Sequence, residues 1–334
     1  MLEFASFSSK KSDYSTHNGK FTVQVSEIKS MWFKNLRIYR LTDNIKQSPE
    51  EINSALAKFE FQPCGNLEPL KYGWTQPLGR DGSEYVHAAN GYIMICAKRQ
   101  EKVLPASIVK EVLDEKVTEI SDREGRFVGR KEKQNIKEEI IFSLMPKAFV
   151  KSSYDFAYID TKAQLIIVNT SSANRAEELL SALREALGVL RVAPLTPSNN
   201  PRDSLTGWLT GNEIPEDIEV GEECELSSLD EARSVKFKHQ DLWIKEVGQH
   251  IKSGLQVSKI AIGWKDSIEC IIDDQFTFKR VKYGNEITEQ ADDHNSETAV
   301  EQFDIEFSIM TLELSAFIEA MIQAFGGIKT ETLS

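Results

Sequence analysis

His87-Ala88-Ala89-Asn90-Gly91-Tyr92-Ile93-Met94-Ile95-Cys96-Ala97-Lys98-Arg99 reads as a β-hairpin. Its residues alternate about Asn90-Gly91, a dipeptide suited to the positive-φ corner of a two-residue turn. An amphipathic pattern follows from Pro105 to about Ile120. The theme recurs at Tyr154–Val168, which turns at Thr161-Lys162 and leads into Ser172–Leu187, where Ala176, Leu179, Leu180, Leu183 and Leu187 fall at helical spacing. Val257–Val281 offers three further strands, and a long helical pattern then runs from about Ala299 to Phe325, ended by Gly326-Gly327. Antiparallel hairpins stand where β-α-β crossovers would otherwise be, so the expected class is α+β, with several antiparallel sheets and helices.

Pro194-Leu195-Thr196-Pro197-Ser198-Asn199-Asn200-Pro201 is the linker candidate, since its prolines interrupt both helix and sheet. Residues 31–104 and 150–195 then form a central α+β region, and residues 202–334 a C-terminal α+β region with the long terminal helix. Residues 105–149 read as a protruding helical excursion, two helices separated by the basic break Gly125-Arg126-Phe127-Val128-Gly129-Arg130-Lys131. Upstream, Met31-Trp32-Phe33-Lys34-Asn35-Leu36-Arg37-Ile38-Tyr39-Arg40-Leu41 reads as the start of a folded domain. Residues 1–30 are rich in Ser, Thr and Lys and are expected to be an extension that is disordered or not native. The alternative there is an ordered extra strand through Phe21-Thr22-Val23-Gln24-Val25.

With 334 residues and 40% hydrophobic content, the chain can bury a substantial core. Its cysteines, Cys64, Cys96, Cys224 and Cys270, are scattered singly, a pattern of buried thiols in a reducing cytoplasm. Residues 1–30 contain no apolar run long enough for a signal-peptide core or a membrane span. The net charge of −12 hides segregation. Residues 211–231 and 284–306 carry nine and eight acidic residues and no Lys or Arg, which leaves the rest of the chain at +5. Arg123–Lys133 and Arg233–Lys259 are locally basic. Screening over about 8–10 Å lets a basic concave surface act independently of acidic segments on an outer face, so a polyanionic partner is physically allowed.

Enzymatic motifs are missing: there is no G-x-G-x-x-G after a strand, no P-loop, no G-x-S-x-G and no H-E-x-x-H. No two of His17, His87, His239, His250 and His294 lie at helical metal-ligand spacing. Asp273-Asp274 and Asp292-Asp293 are pairs of adjacent carboxylates, which point to opposite faces of a strand and converge poorly on one ion. Asp273-Asp274 is read as turn chemistry. No catalytic residue, cofactor or metal is expected. In the terminal helix Phe303, Phe307, Met310, Leu314, Phe317 and Met321 follow 4-3-4-3-4 spacing, with apolar residues widening the stripe, so the helix must be covered on two sides. It is either the central helix of its own domain or part of a dimer contact.

A colinear series of segments resembles the RdgC family of bacterial recombination-associated DNA-binding proteins: MWFKNLRIYRL at Met31–Leu41, FQPCG at Phe61–Gly65, Gly73-Trp74, HAANGYIMICAKRQEKVLP at His87–Pro105, LMPKAF at Leu144–Phe149, YIDTKAQLIIV at Tyr158–Val168, KHQDL at Lys238–Leu242, and the helix around Met310–Leu314. The resemblance covers essentially residues 31–327. It implies a non-enzymatic homodimer closed into a ring around duplex DNA, with single strands left open as a ligand. It also implies antagonism of the RecA recombinase and a cytoplasmic, nucleoid-associated location. On that geometry Lys98, Arg99, Lys147, Lys236, Lys238, Lys252 and Lys259 are candidates to meet phosphates. Phe149 is a candidate to insert into the partner subunit, and Gln240 to bond across the same closure. His239, where the family can carry lysine, would make that closure weakly pH-dependent. C-terminal elements contribute to the family dimer, which places Phe307, Met310 and Leu314 as interface candidates. Two rivals remain: an acidic protein-interaction scaffold using residues 211–231 and 284–306, and a metal-dependent nuclease.

Overall fold

The computed structural model describes residues 31–292 and 296–329. The expectations for residues 1–30 and for Asp293, His17 and His294 lie outside the described residues. Among the described residues the fold is α+β, with twelve strands joined in one sheet and eight α-helices.

The segment that opens the domain becomes its hinge line. Strand β1 (Asn35–Leu41) pairs antiparallel with β6 (Leu165–Val168) through Arg37–Arg40, and with β12 (Phe278–Tyr283) through Asn35 and Leu36. On the β6 side the order continues through β5 (Phe149–Asp160) and β4 (Tyr92–Val103) to β2 (Leu70–Thr75), with β3 (Val86–Ala89) also on β4 and β7 (Val192–Pro194) also on β1. On the β12 side it continues through β11 (Ile268–Asp273), β10 (Gln256–Trp264), β8 (Ile218–Ser227) and β9 (Ser234–Lys238). The expectation of several sheets is thus corrected to one continuous sheet. The join depends on pairs such as Leu36 with Phe278, too distant in sequence for local alternation to announce.

Hairpin chemistry appears where it was read. Asn90 and Gly91 take φ of 56° and 90°, and the register Ala89 to Tyr92 closes β3 on β4. At the β5–β6 turn the Asp160 carboxylate accepts the Lys162 and Ala163 N–H groups at 2.9 and 2.8 Å. The proline-rich stretch before α5 (Pro201–Trp208) is tied down. Leu195 is buried and donates its N–H to the Ile38 carbonyl, and Asn199 donates to the Phe325 carbonyl.

Side chains on the two faces meet different covers. One face of the β1–β6 half packs on α1 (Pro49–Ala57) and α4 (Ala173–Leu187), enclosing Ile93, Ile95, Ile159, Ile166, Leu179 and Leu183. The opposite face of both halves is covered by α8 (Ala299–Ala324), which starts at a Thr298–Glu301 capping box. At 1.5 Å per residue this helix runs about 39 Å, long enough to cross the join. Phe307 packs on Tyr158 of the first half, Phe317 on Trp264 and Phe278 of the second, and the Met310 sulfur accepts the Phe33 N–H at the join itself. Phe307, Met310 and Leu314 are 0% exposed. Their assignment to a dimer interface is therefore corrected: the chain's own sheet covers that stripe completely. The other helices are α2 (Ala106–Glu124) and α3 (Arg130–Leu144), packed on each other around Val109, Val128, Ile136 and Ile140, with α6 (Lys245–Lys252) and α7 (Asn285–Asp292) in the C-terminal half.

Where α8 meets β3, the His87 ring packs edge-on to Phe303 and Phe307, with Nε2 3.0 Å from a carboxylate oxygen of Asp304. Burial holds this imidazole below its ordinary value, and Asp304 opposes that only in part. A depressed folded-state value means that the unfolded chain takes up the proton first. The contribution of neutral His87 is therefore complete above about pH 6.5 and lost as pH falls through the folded-state value. Urea midpoints at pH 7.5 and 5.5 are expected to fall more for the native chain than for His87→Gln; equal falls would dissociate the effect from this residue.

Candidate nucleic-acid interface

Among the described residues, no helix covers one face of the second sheet half, the face continuous with the α1/α4 side of the first half. Alternation sends Ile260, Ile262, Cys270, Ile272 and Phe278 to the α8 core and turns Lys259, Ala261, Ile271 and Asp273 outward. On β9, Phe237 is buried in the core while Lys236 and Lys238 are exposed on the other side.

A β-bulge then breaks the alternation to the advantage of this face. Between the pairs Glu269–Lys282 and Ile271–Lys279 the register shifts, and Arg280 takes φ of 53°, a left-handed conformation that costs a non-glycine residue about 1 kcal/mol or more. Phe278 and Val281 both remain in the core. Lys279 and Arg280, adjacent in sequence, are consequently free to line the same outer hollow.

The hollow has a volume of about 360 Å³ and is lined by Asn35, Ser171, Glu223, Glu225, Lys236, Lys238, Lys259, Lys279 and Arg280 among others. Lys236 and Lys259 lie on either side of Glu225, at 3.3 and 2.8 Å. Glu223 is shared by Lys238 at 3.6 Å and Arg280 at 2.8 Å. Arg280 and Glu223 belong to β12 and β8, with β11 and β10 between them. Strands at about 4.8 Å spacing hold their backbones about 14 Å apart, a span the two side chains close only by reaching toward each other over β11 and β10. Five cations converge on the hollow against Glu223, Glu225 and the more buried Asp273.

Both glutamates are held below the usual carboxylate value. For Glu223 the hydrogen bond from Arg280 is the main cause. For Glu225, burial pushes upward and is outweighed by the combined bonds and charges of Lys259 and Lys236. The acidic run 211–231 is therefore not segregated on an outer face: two of its carboxylates sit inside the basic cluster.

Of the residues expected to meet phosphate, Lys236, Lys238 and Lys259 come together here. Lys98 does not. It lies on the opposite sheet face, stacked 4.8 Å over the Phe61 ring and 5.7 Å over that of Tyr154. Arg99 turns towards α4, where it is ion-paired to Glu178, with Glu101 at 3.7 Å. That ion pair ties sheet to helix and places Arg99 away from the hollow. Lys252 ends α6, whose Val247 joins the α8-side core and whose His250 packs on Phe237, so it too is remote from the hollow. Lys147 is exposed in the short 3₁₀ turn Met145–Lys147. Lys279 and Arg280 were missed; the signal was the apolar pair Phe278 and Val281 at a spacing of three in an otherwise alternating strand.

The contact candidates divide. Phe149 is 83% exposed at the start of β5, opposite Val103, with Val150 also exposed. His239, at φ 55°, and Gln240 are exposed beyond β9, close to exposed Trp243. Asp273 behaves as a turn former, accepting the Gln275 and Thr277 N–H groups, while Asp274 is ion-paired to Arg202. Among the described residues no group of three or more His, Cys, Asp or Glu is disposed to hold a metal, and no helix is long and apolar enough to cross a membrane.

A family model described as "Putative exonuclease, RdgC" matches residues 31–328. The recombination-associated protein RdgC of Aeromonas hydrophila is 38% identical over 298 residues, 89% of this chain and 98% of that protein. That of Psychromonas ingrahamii is 39% identical over 89% of this chain and 99% of its own length, and that of Tolumonas auensis 37% identical over 90% and 100%.

Proposed function

The chain belongs to the RdgC family, and from that premise we propose that it binds DNA without sequence preference and limits RecA-dependent recombination by occupying it. The observation that carries this reading is the outer face of β8–β12, where Lys236, Lys238, Lys259, Lys279 and Arg280 converge around a hollow that no helix among the described residues covers. Such a surface meets phosphates rather than base edges, because its donors are flexible cations on strands and no element is shaped to enter a groove. The working assembly is a homodimer closed into a ring around duplex DNA, in the nucleoid of the cytoplasm. Phe149 makes one inter-subunit contact, the α2–α3 pair projects beside it, and Gln240 and His239 make another.

The decisive experiment is fluorescence anisotropy with two unrelated duplexes and one single strand, with and without Mg²⁺, from about 50 to 200 mM salt. Affinities for the two duplexes should be equal, and log K should fall linearly with log salt, by about 0.9 per phosphate neutralised on duplex DNA. Absence of binding at 50 mM salt would refute the proposal. The family description favours a second reading, an exonuclease, which requires Mg²⁺-dependent shortening of end-labelled DNA in the same samples.

The dimer contact has its own test. At dilutions where native and variant chains are both monomeric, Phe149→Ala should leave the unfolding free energy within about 0.5 kcal/mol, as for a side chain exposed in the single subunit, while at higher concentration it shifts the sedimentation profile towards an opened or dissociated dimer. An unchanged profile would remove Phe149 from the interface.

A further inference from the structure

We propose that Glu223 and Glu225 are internal counterions of the cationic face, surrendering their lysine and arginine partners to the phosphodiester backbone and so capping DNA affinity. The inference rests on the DNA-binding reading and assigns regulation within that site.

The geometry is that of a competitor already in place. Glu225 is paired in register with Lys236 on one side and Lys259 on the other, and Glu223 with Lys238, while Arg280 arrives from across the hollow. Each carboxylate thus presents to two cations what a phosphate would present. Neither is deeply sequestered, since the Glu223 and Glu225 side chains keep 28% and 19% exposure and Lys236, Lys238 and Arg280 more than half of theirs. An ion pair of that exposure contributes little to stability. The carboxylates act instead on what enters. They hold the long side chains over the hollow in the free protein, and they repel phosphate until the cations swing away. A carboxylate left behind takes up a cation from solution, which offsets one of those that DNA releases and flattens the salt dependence.

Removing the two charges should therefore strengthen binding. A carboxylate and a phosphate about 4 Å apart in water repel enough to change affinity about fivefold. Glu223→Gln with Glu225→Gln is accordingly expected to raise affinity about twentyfold at 0.1 M salt and to steepen the slope of log K against log salt by about one per carboxylate. Glu319→Gln is the control. It removes the same charge from an exposed position of α8, which covers the opposite face of the sheet, and less than a twofold change is expected. Unaltered affinity and slope in the double variant, with the native chain binding normally, would overturn the inference while leaving the DNA reading intact. So would weaker binding, which would make the glutamates positioning groups, or an equal gain from Glu319→Gln, which would reduce the effect to net charge. A native chain that fails to bind any DNA would instead defeat the parent reading. Urea unfolding of each variant confirms that the comparison is between folded proteins.

Discussion

Replacing Phe307 with alanine is expected to cost about 3–5 kcal/mol of unfolding free energy, the range for an aromatic side chain removed from a packed interior. Phe307 is 0% exposed and touches the His87 and Tyr158 rings, so its loss opens a cavity between α8 and the first sheet half. Neighbours on a sheet and a long helix cannot collapse into such a cavity without bending both. Urea unfolding at fixed protein concentration reads the loss as a lower midpoint. The same measurement separates core from interface. If Phe307 served mainly a second copy, the native midpoint would rise with protein concentration and the variant would lose that dependence rather than its monomer stability. A loss below about 1 kcal/mol would contradict the packing described for α8.

That stripe shows what the sequence could and could not say. Spacing of 4-3-4-3-4, widened by further apolar residues, implied that the terminal helix had to be covered on two sides, and α8 runs from Ala299 to Ala324 much as read. Periodicity does not say which chain supplies the cover. The answer lay in Phe33, just before β1, and in Tyr158 and Trp264 on β5 and β10, each far away in sequence and each legible only as an apolar residue in its own segment. The hairpins around Asn90-Gly91 and Thr161-Lys162 were legible because turn chemistry is local. The fusion of both halves through β1 and β12 was not, since any exposed strand edge could have accepted the partner.

The site divides by the same logic. Lys236, Lys238 and Lys259 alternate with buried residues, so their shared face follows once β8, β9 and β10 are known to be neighbours. Arg99 has the same local appearance but meets Glu178 on α4, a partner no window around Arg99 contains. Arg280 was hidden by its own bulge, which violates the period that reading depends on. The acidic run misled in a related way. Counted along the chain it repels DNA, whereas in the sheet Glu223 and Glu225 are cross-strand partners of lysines.

Lys236→Glu with Lys238→Glu should then weaken DNA binding on the order of a hundredfold at 0.1 M salt, equally for unrelated duplexes, and lower the salt slope by about two. Both lysines are more than half exposed on β9, the last strand of the sheet, and neither side chain contributes to the core, so the fold should tolerate the change. Reversal acts twice at each position: it removes a phosphate partner and sets a second carboxylate beside Glu223 or Glu225, raising the repulsion that DNA must overcome. Lys252→Glu reverses one lysine instead of two, at the end of α6 on the core-facing side of β9, and should alter affinity less than threefold. Taken per reversed lysine, about tenfold on β9, the comparison holds sign and residue type constant and varies the face. A loss at Lys252 as large as that per-lysine share would mean that DNA responds to the total charge of the C-terminal half, and the hollow formed by the Arg280 bulge would lose its claim to be the binding surface.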